Sequence, residues 1–450
     1  MDEIKKIPDG TEEDLGDYAL RPVPEEKRIG WGTQGLIWAG TVFCMPVFTV
    51  GGTLAAAMDV SSFLTAVFFG TVVITLIGSL TGAIGARTHL TSGFNARFTL
   101  GAVGGRIFSL ILAVSLFGWF GYQCHDFAKS VVSTLTMFGF SSSSPAVWAV
   151  AGGLLMILTA TSGFNGIALL SSLGTPLLIA LSLAAAFITA GQVDGPALRA
   201  ASASAAGGMS LSAGITLVVG GYITGAFITA DVSRFSKTQK DAFWGCFLGR
   251  MAAFPLALLL GGFFQYAYGV SSLCDVMFTY CGMQMFVPFV LVVSIWSINN
   301  YNLYCAVLGI SNTLDGCVRL PQWLITLLAG VVSTLLGALG IMDVYAPFLN
   351  LLGVLIPPVA AVIIADYYLN HRNSGLYSYK SADRLKNFRA NTCLSAAAGI
   401  VVGLLCNYAN IPFLNTLCLV LPASIVAMLA SVSVLVIYNT VTHSGIISTT

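Results

Sequence analysis

Long apolar runs separated by short polar stretches dominate this chain. After a polar segment over residues 1–30, apolar runs recur at 35–57, 62–86, 106–132, 146–161, 164–190, 210–230, 242–268, 285–309, 323–341, 346–368, 391–408 and 416–438. A helix needs about 20 apolar residues to cross a bilayer, and the runs lack the strict alternation of barrel strands. The pattern predicts an all-α integral membrane protein with twelve transmembrane helices.

The positions of the basic residues predict the orientation of these helices. If the first run starts on the cytoplasmic side, all of the 20 Lys and Arg except Lys129 and Arg199 fall in or near cytoplasmic segments. This is the distribution that the positive-inside rule requires. We therefore expect a multi-pass protein of the cytoplasmic (inner) membrane, with both termini in the cytoplasm.

Composition narrows the class of protein. The 450 residues are 56% hydrophobic and 9% charged, whereas soluble domains carry about 25% charged residues. The net charge of +1 gives no basic face for nucleic acid, so we expect the lipid bilayer as partner and a monomer. The histidines are dispersed and no C-x-x-C occurs, which disfavours a membrane-embedded metalloenzyme. A channel, the other distant alternative, would need a filter segment or charged rings. A transporter without a cofactor is expected instead.

Two of the runs carry residues that weaken a helix. The first contains Pro46 and Gly51-Gly52, and the sixth contains Gly220-Gly221 and Gly225. Proline removes a backbone donor and glycine loosens a helix, although both are common in membrane helices. If the chain contains two five-helix halves, these runs correspond, which predicts discontinuous helices 1 and 6 beside a binding site. Gly78-x-x-x-Gly82 in the second run predicts close helix packing.

Aromatic and amide residues in apolar runs are the candidate site residues. Trp119 precedes Gln123 by four positions, as Trp296 precedes Asn300, so each pair shares a helix face. Such amides, including Asn299 and Asn302, either bond between helices or recognise a substrate. The rings of Trp119 and Tyr222 are suited to stacking on a flat heterocycle.

Carboxylates inside the apolar runs are candidates for ion coupling or for structural pairing. Asp126, beside a histidine in the third run, is a candidate for proton coupling. Asp231 and Asp366 stand near Arg234 and Arg372 at the cytoplasmic ends of their runs. Helix capping or gate pairing is the expectation for these two.

Five segments make the chain similar to a known family. They are IGARTHLTSGFNARFTLG (84–101), FGWFG (117–121), ITADVSRF (228–235), SIWSINNYNLYCAVLGISN (294–312) and IPPVAAVIIADYYLNHR (356–372). The chain resembles the nucleobase–cation symporter-1 family, closest to the cytosine permease branch. The resemblance implies a leucine-transporter-type fold with a 5+5 inverted repeat. It divides the chain into a tail (1–30), a ten-helix core (31–370) and two extra helices with a short tail (371–450).

The resemblance also implies a substrate site. In the family, a base is held between two rings, which fall here on Trp119 and Tyr222. Together with the amides singled out above, the implied substrate-binding residues are Trp119, Gln123, Gly221, Tyr222, Thr224, Asn299 and Asn300. Cytosine permeases usually carry a small apolar residue in place of Gln123, and hydantoin-type members carry Gln. Cytosine, another pyrimidine, a purine, a hydantoin and a thiamine-precursor pyrimidine all stay open as substrates.

The family's cation site maps onto two helices. Its carbonyl ligands fall on Gly40, Phe43 and Ser294, and its hydroxyl ligand falls on Ser297. Ile298 stands where the pattern has a second hydroxyl. Because a hard cation needs several oxygen ligands, we expect weak sodium binding, which leaves sodium or proton as the coupling ion. The implied mechanism is cation-coupled alternating access, in which helices 1, 2, 6 and 7 rock against helices 3, 4, 8 and 9.

Overall fold

The computed structural model describes residues 18–140, 144–161, 163–318, 320–340, 345–372, 374–409 and 411–443. The predicted tail residues 1–17 and 444–450 lie outside the described residues. Over the described ranges the α-helices are α1 (Trp31–Val42), α2 (Met45–Ala55), α3 (Val60–Thr88), α4 (Ser92–Leu100), α5 (Ala102–Met137), α6 (Pro145–Ala160), α7 (Gly163–Gln192), α8 (Gly195–Ala205), α9 (Leu211–Phe227), α10 (Thr229–Ser233), α11 (Gln239–Tyr268), α12 (Leu273–Thr279), α13 (Val287–Leu314), α14 (Gln322–Ala338), α15 (Tyr345–Ala365), α16 (Ala390–Tyr408), α17 (Pro412–Val420) and α18 (Ala423–His443). Short 3-10 segments cover Glu25–Lys27, Gln284–Phe286 and Tyr379–Arg384, and a π-helix covers Asp366–His371.

Membrane-spanning helices make up most of the described chain. Within the described ranges nine helices are long and apolar enough to cross a bilayer, or ten if α1 and α2 form one bent span. The helices α6 and α14 are apolar but shorter, and they match the fourth and ninth predicted runs. The last predicted run, 416–438, is divided between α17 and α18. The structure therefore confirms an all-helical, multi-pass membrane protein.

The first span is broken, as predicted. Its halves α1 and α2 meet at an angle of 56°, and Cys44 between them is extended, with φ −143° and ψ 158°. Pro46 lies in the first turn of α2 rather than in the break, where its missing N–H costs no helical hydrogen bond. Gly51 and Gly52 are helical, so the prediction that they loosen the helix is wrong.

The sixth span departs from its prediction. The helix α9 runs without interruption through Gly220-Gly221 and Gly225 and ends at Phe227. Ile228, with ψ 12°, interrupts the regular geometry before α10 begins, and Leu211–Ser233 together qualify as a single span. The prediction of a break at the glycines is therefore wrong. A glycine costs a helix roughly 1 kcal/mol relative to alanine, but unlike proline it keeps its N–H and the hydrogen bond that it makes.

Glycines of α11 bring this helix against both halves of the first span. A side chain at Gly249 would overlap the backbone of Gly35 in α1, and one at Gly261 would overlap the backbone of Phe48 in α2. The helices thus meet backbone to backbone on either side of the break. In the same way, a side chain at Gly82 in α3 would collide with Thr229 in α10, which confirms the close packing predicted for the glycine pair in the second run.

Candidate functional site

A cavity opens beside the break in the first span. It is walled by the start of α2 and by α5, α9 and α13, and it encloses about 430 Å³ of empty space when its opening is included. The residues that line it are Cys44, Pro46, Val47, Leu116, Trp119, Gln123, Gly221, Tyr222, Thr224, Gly225, Ile298, Tyr301 and Asn302. Small-molecule sites are built in this way, with apolar and aromatic walls and a few polar groups.

The cavity unites five of the residues predicted to bind substrate. Trp119 and Gln123 reach it from α5, where they lie one turn apart, and Gly221, Tyr222 and Thr224 reach it from α9. The two aromatic rings predicted to hold a flat substrate therefore line the same space.

Two polar atoms of the cavity wall lack hydrogen-bond partners. Gln123 Oε1 and Thr224 Oγ1 are buried and accept or donate no hydrogen bond among the described residues. A buried unpaired polar group costs about 1–3 kcal/mol. Such groups at a cavity wall are suited to a ligand that supplies the missing partner.

The ring of Tyr222 is held from two sides. Its hydroxyl donates to Thr41 Oγ1 in α1 over 3.4 Å, and its ring lies 5.4 Å from that of Phe254 in α11. The ring of Trp119 meets that of Tyr122 edge to face, with 6.0 Å between centroids. Both rings are therefore positioned by neighbouring helices rather than by a ligand.

The amides predicted in α13 point elsewhere. Asn299 Nδ2 donates to Phe120 O over 3.3 Å, and Asn300 Oδ1 accepts from Thr159 Oγ1 in α6 over 3.0 Å. Trp296 Nε1 donates to the same hydroxyl over 2.8 Å, so the Trp296/Asn300 pair does share a face, but that face is turned to α6. The structure does not bring Asn299 and Asn300 to the cavity, and their role in substrate binding stays a prediction.

Residues that the sequence reasoning missed form the α13 wall of the cavity. They are Ile298, Tyr301 and Asn302. Spacings of three and four place these residues on one helix face. That spacing was the available signal, but it does not say which face turns inward.

The predicted cation ligands lie at the break and on α13. Gly40 is in the last turn of α1, whose final carbonyls have no helical partner, and Phe43 lies in the break itself. On α13, the hydroxyls of Ser294 and Ser297 are buried without a hydrogen-bond partner in the described chain. Ile298 turns into the cavity. The role of these residues in cation binding stays a prediction.

A charged network, here called the arginine closure, ties the end of the sixth span to its neighbours. It consists of Asp231, Arg234, Ser92, Tyr304 and Tyr18. Asp231 Oδ1 accepts from Ser92 N at the start of α4 over 2.7 Å, which confirms the predicted capping role. The guanidinium of Arg234 donates to Tyr304 Oη in α13 over 2.8 Å and to Tyr18 O over 2.6 Å.

The remaining carboxylates have different outcomes. Asp366 is paired with Arg389, at 2.7 and 3.1 Å, and not with Arg372 as expected from its sequence neighbourhood. The π-helix that follows α15 and the start of α16 bring this more distant arginine to the carboxylate. Asp126 lies nearly one turn beyond Gln123 on α5, and its role in proton coupling stays a prediction.

Comparison with known proteins identifies the family of the chain. Residues 22–436 match the family described as permeases for cytosine/purines, uracil, thiamine and allantoin. The chain belongs to this permease family. The resemblance to nucleobase–cation symporters is thereby confirmed, and the chain is a membrane permease rather than an enzyme.

Relatives of the permease agree in length and fold. It is 28% identical to the cytosine permease of Escherichia coli (strain K12) over 86% of this chain and 88% of the relative. It is 24% identical to the hydantoin permease of Microbacterium maritypicum over 79% and 78%. Its fold is similar to that of Mhp1, a nucleobase-cation-symport-1 family transporter in a closed conformation with bromovinylhydantoin bound, with TM-score 0.77, 18% identity and 95% of each chain covered. A Na⁺-coupled sialic acid symporter shares the fold with TM-score 0.67 and 12% identity, over 96% of this chain and 93% of the other.

Proposed function

We propose that this permease imports a planar nucleobase-like or hydantoin-like heterocycle. The observation that carries the proposal is the cavity itself, where Trp119 and Tyr222 line the same space as the unpartnered Gln123 Oε1 and Thr224 Oγ1. Rings suit the faces of a flat substrate, and the polar atoms suit its edge. The relatives named for cytosine and hydantoin support this class of substrate.

Within that class, the substrate has an edge that pairs with an amide. Gln123 offers one acceptor and two donors, which fits a ring carbonyl next to a ring N–H. Pyrimidines, purines and hydantoins all present such an edge. A thiamine-precursor pyrimidine is the alternative, since the family description includes thiamine.

Transport proceeds by alternating access around the cavity. The proposed frame has twelve transmembrane helices, ten of them in a 5+5 inverted repeat (31–370) and two at the C-terminal end (371–450), with residues 1–30 as a cytoplasmic tail. Both termini face the cytoplasm, and the membrane is the inner membrane. The arginine closure then lies on the cytoplasmic side and must open before substrate is released.

The import is coupled to a cation. Each positive charge that moves inward gains about 2.3 kcal/mol per 100 mV of membrane potential. Carbonyls of Gly40 and Phe43, with Ser294 and Ser297, are the proposed ligands. Because Ile298 adds no oxygen, we propose a weak sodium site or coupling to protons.

A binding panel tests the proposal. Purified protein is titrated with cytosine, uracil, a purine, a hydantoin and a thiamine-precursor pyrimidine, with and without sodium, and uptake of the tightest ligand is measured in proteoliposomes. We expect saturable binding of at least one ring and uptake driven by an ion gradient. Failure of every ring to bind would remove the proposed function. Sodium dependence that grows in Ile298→Thr would support the proposed ligands.

A further inference from the structure

A fully buried guanidinium stands behind the cavity wall. Arg250 in α11 is 0% exposed. Its central carbon lies 4.1 Å from the ring centroid of Trp38 and 5.5 Å from that of Tyr222. Across the described residues no carboxylate comes within ion-pair distance of Arg250. A charge left unpaired by carboxylates inside a membrane protein is costly, and it marks a functional group by default.

The hydrogen bonds of Arg250 connect it to the cavity. Its Nη2 donates to Gly225 O over 3.1 Å and to Thr229 Oγ1 over 2.8 Å. Gly225 lines the cavity, and its carbonyl is one of the last four of α9. The C-terminal end of a helix carries partial negative charge, so the guanidinium stabilises this end of the interrupted span.

The surrounding helices leave space for this one group. Gly78 in α3 faces Arg250 so closely that any side chain there would overlap the guanidinium. On its own helix, Cys246 Sγ accepts from Nη1 over 3.0 Å. The compartment is therefore shaped for a guanidinium, and its walls join α1, α3, α9 and α11.

We propose that Arg250 is a specificity-determining residue that gives the cavity a fixed positive charge. The permease then prefers rings that carry negative charge, such as imide-type heterocycles ionised at a ring nitrogen, over neutral or basic rings of the same shape. The inference rests on the proposed function, because it requires that Tyr222 contacts the substrate. The ring of Tyr222 lies between the two observations, since it lines the cavity and also meets the guanidinium.

Matched ligands test the charge without changing the shape of the ring core. At neutral pH, 5-nitrouracil is ionised and uracil is neutral, so the ratio of their dissociation constants reports the electrostatic preference of the cavity. The ratio is measured on the full-length protein and on Arg250→Met, Arg250→Lys and Arg234→Met. The last variant is the control, since it removes a second fully buried guanidinium that does not line the cavity.

We expect the preference for 5-nitrouracil to fall on the order of tenfold in Arg250→Met. This is the effect of unit charges roughly 10 Å apart at an effective dielectric constant of about 20. Arg250→Lys should restore most of the preference, and Arg234→Met should leave it unchanged. A purely structural role would change both dissociation constants together and leave their ratio constant.

An unchanged ratio in Arg250→Met would overturn the inference. If that variant does not fold, the unaltered protein decides, because tighter binding of uracil or cytosine than of 5-nitrouracil also contradicts a positive cavity. In either case binding of uracil or cytosine leaves the proposed function intact. Only failure of the whole panel of heterocycles removes both.

Discussion

The cavity and the arginine closure use buried polar groups in opposite ways. In the cavity, Gln123 Oε1 and Thr224 Oγ1 have no partner among the described residues. In the closure, Asp231 and Arg234 bond to α4, to α13 and to the N-terminal segment. Unpaired groups destabilise the empty protein and await a ligand, whereas paired groups stabilise one conformation. The comparison separates residues that recognise substrate from residues that hold the permease shut.

The largest expected effect is the loss of a cavity ring. Trp119→Ala should abolish measurable uptake and weaken ring binding about tenfold to a hundredfold, because stacking on an aromatic side chain contributes roughly 1–3 kcal/mol. Uptake and binding of the tightest ligand are the measurements. Trp296→Ala is the matched control, since that indole bonds to Thr159 outside the cavity. Equal losses in the two variants would contradict the assignment of the cavity.

An unpaired amide should affect binding without supporting the empty protein. Gln123→Leu should weaken binding about tenfold and leave the melting temperature of the empty protein unchanged or raised, because a buried orphan acceptor is removed. The control is Gln34→Leu in α1. Gln34 donates to Val232 O and accepts from Trp38 Nε1, so its loss should lower the melting temperature. A lower melting temperature in both variants would remove the distinction.

A paired hydroxyl in the closure should show the reverse pattern. Tyr304→Phe removes one hydrogen bond to the buried guanidinium of Arg234, which costs about 1.5–3 kcal/mol for a charged group. We expect binding within about twofold of the unaltered protein, a lower melting temperature and more frequent opening on that side. Labelling of a cysteine introduced at the closure measures the opening. Binding that weakens as much as in Gln123→Leu would contradict the division.

The smallest expected effect concerns pH at the edge of the closure. His89 Nδ1 lies 2.9 Å from Arg234 O, and burial, aided by the charges of Arg28 and Arg87, lowers the pKa of His89 below its ordinary 6.5. The unfolded chain therefore binds this proton more readily, and stability falls as the pH drops below about 6.5. His89→Asn, which tolerates the positive φ of 57° at this position, should reduce that dependence by a degree or two of melting temperature. An identical pH profile in the variant would exclude this contribution.

Hydrophobic runs predicted the positions of the helices because length in a bilayer is set by the membrane itself. The details inside the helices were harder to predict. Gly220-Gly221 was interpreted as a break, but a helix keeps its hydrogen bonds through glycine, and only the unremarkable Ile228 departs from helical geometry. Conversely, the break at Cys44 lies two residues before Pro46, since proline is favoured in the first turn of the next helix.

The candidate site was predictable where family resemblance fixed a residue, and less so where helix rotation decides. Trp119 and Tyr222 reach the cavity as expected. Among the amides of α13, however, Asn302 lines the cavity while Asn299 and Asn300 bond to other helices. Successive residues of a helix point about 100° apart, and an all-round apolar helix gives no moment to say which face turns inward. Arg250 was counted only as a charge near a loop, because its burial depends on a glycine in another helix.

The break in the first span does not make it a joint. Both halves are seated on the backbone of one uninterrupted helix, α11, through Gly249 on one side and Gly261 on the other. Bending at Cys44 would have to pull one half away from that support. The two halves and α11 should therefore travel as one piece, and the gap between them serves to leave main-chain oxygens uncovered within the membrane.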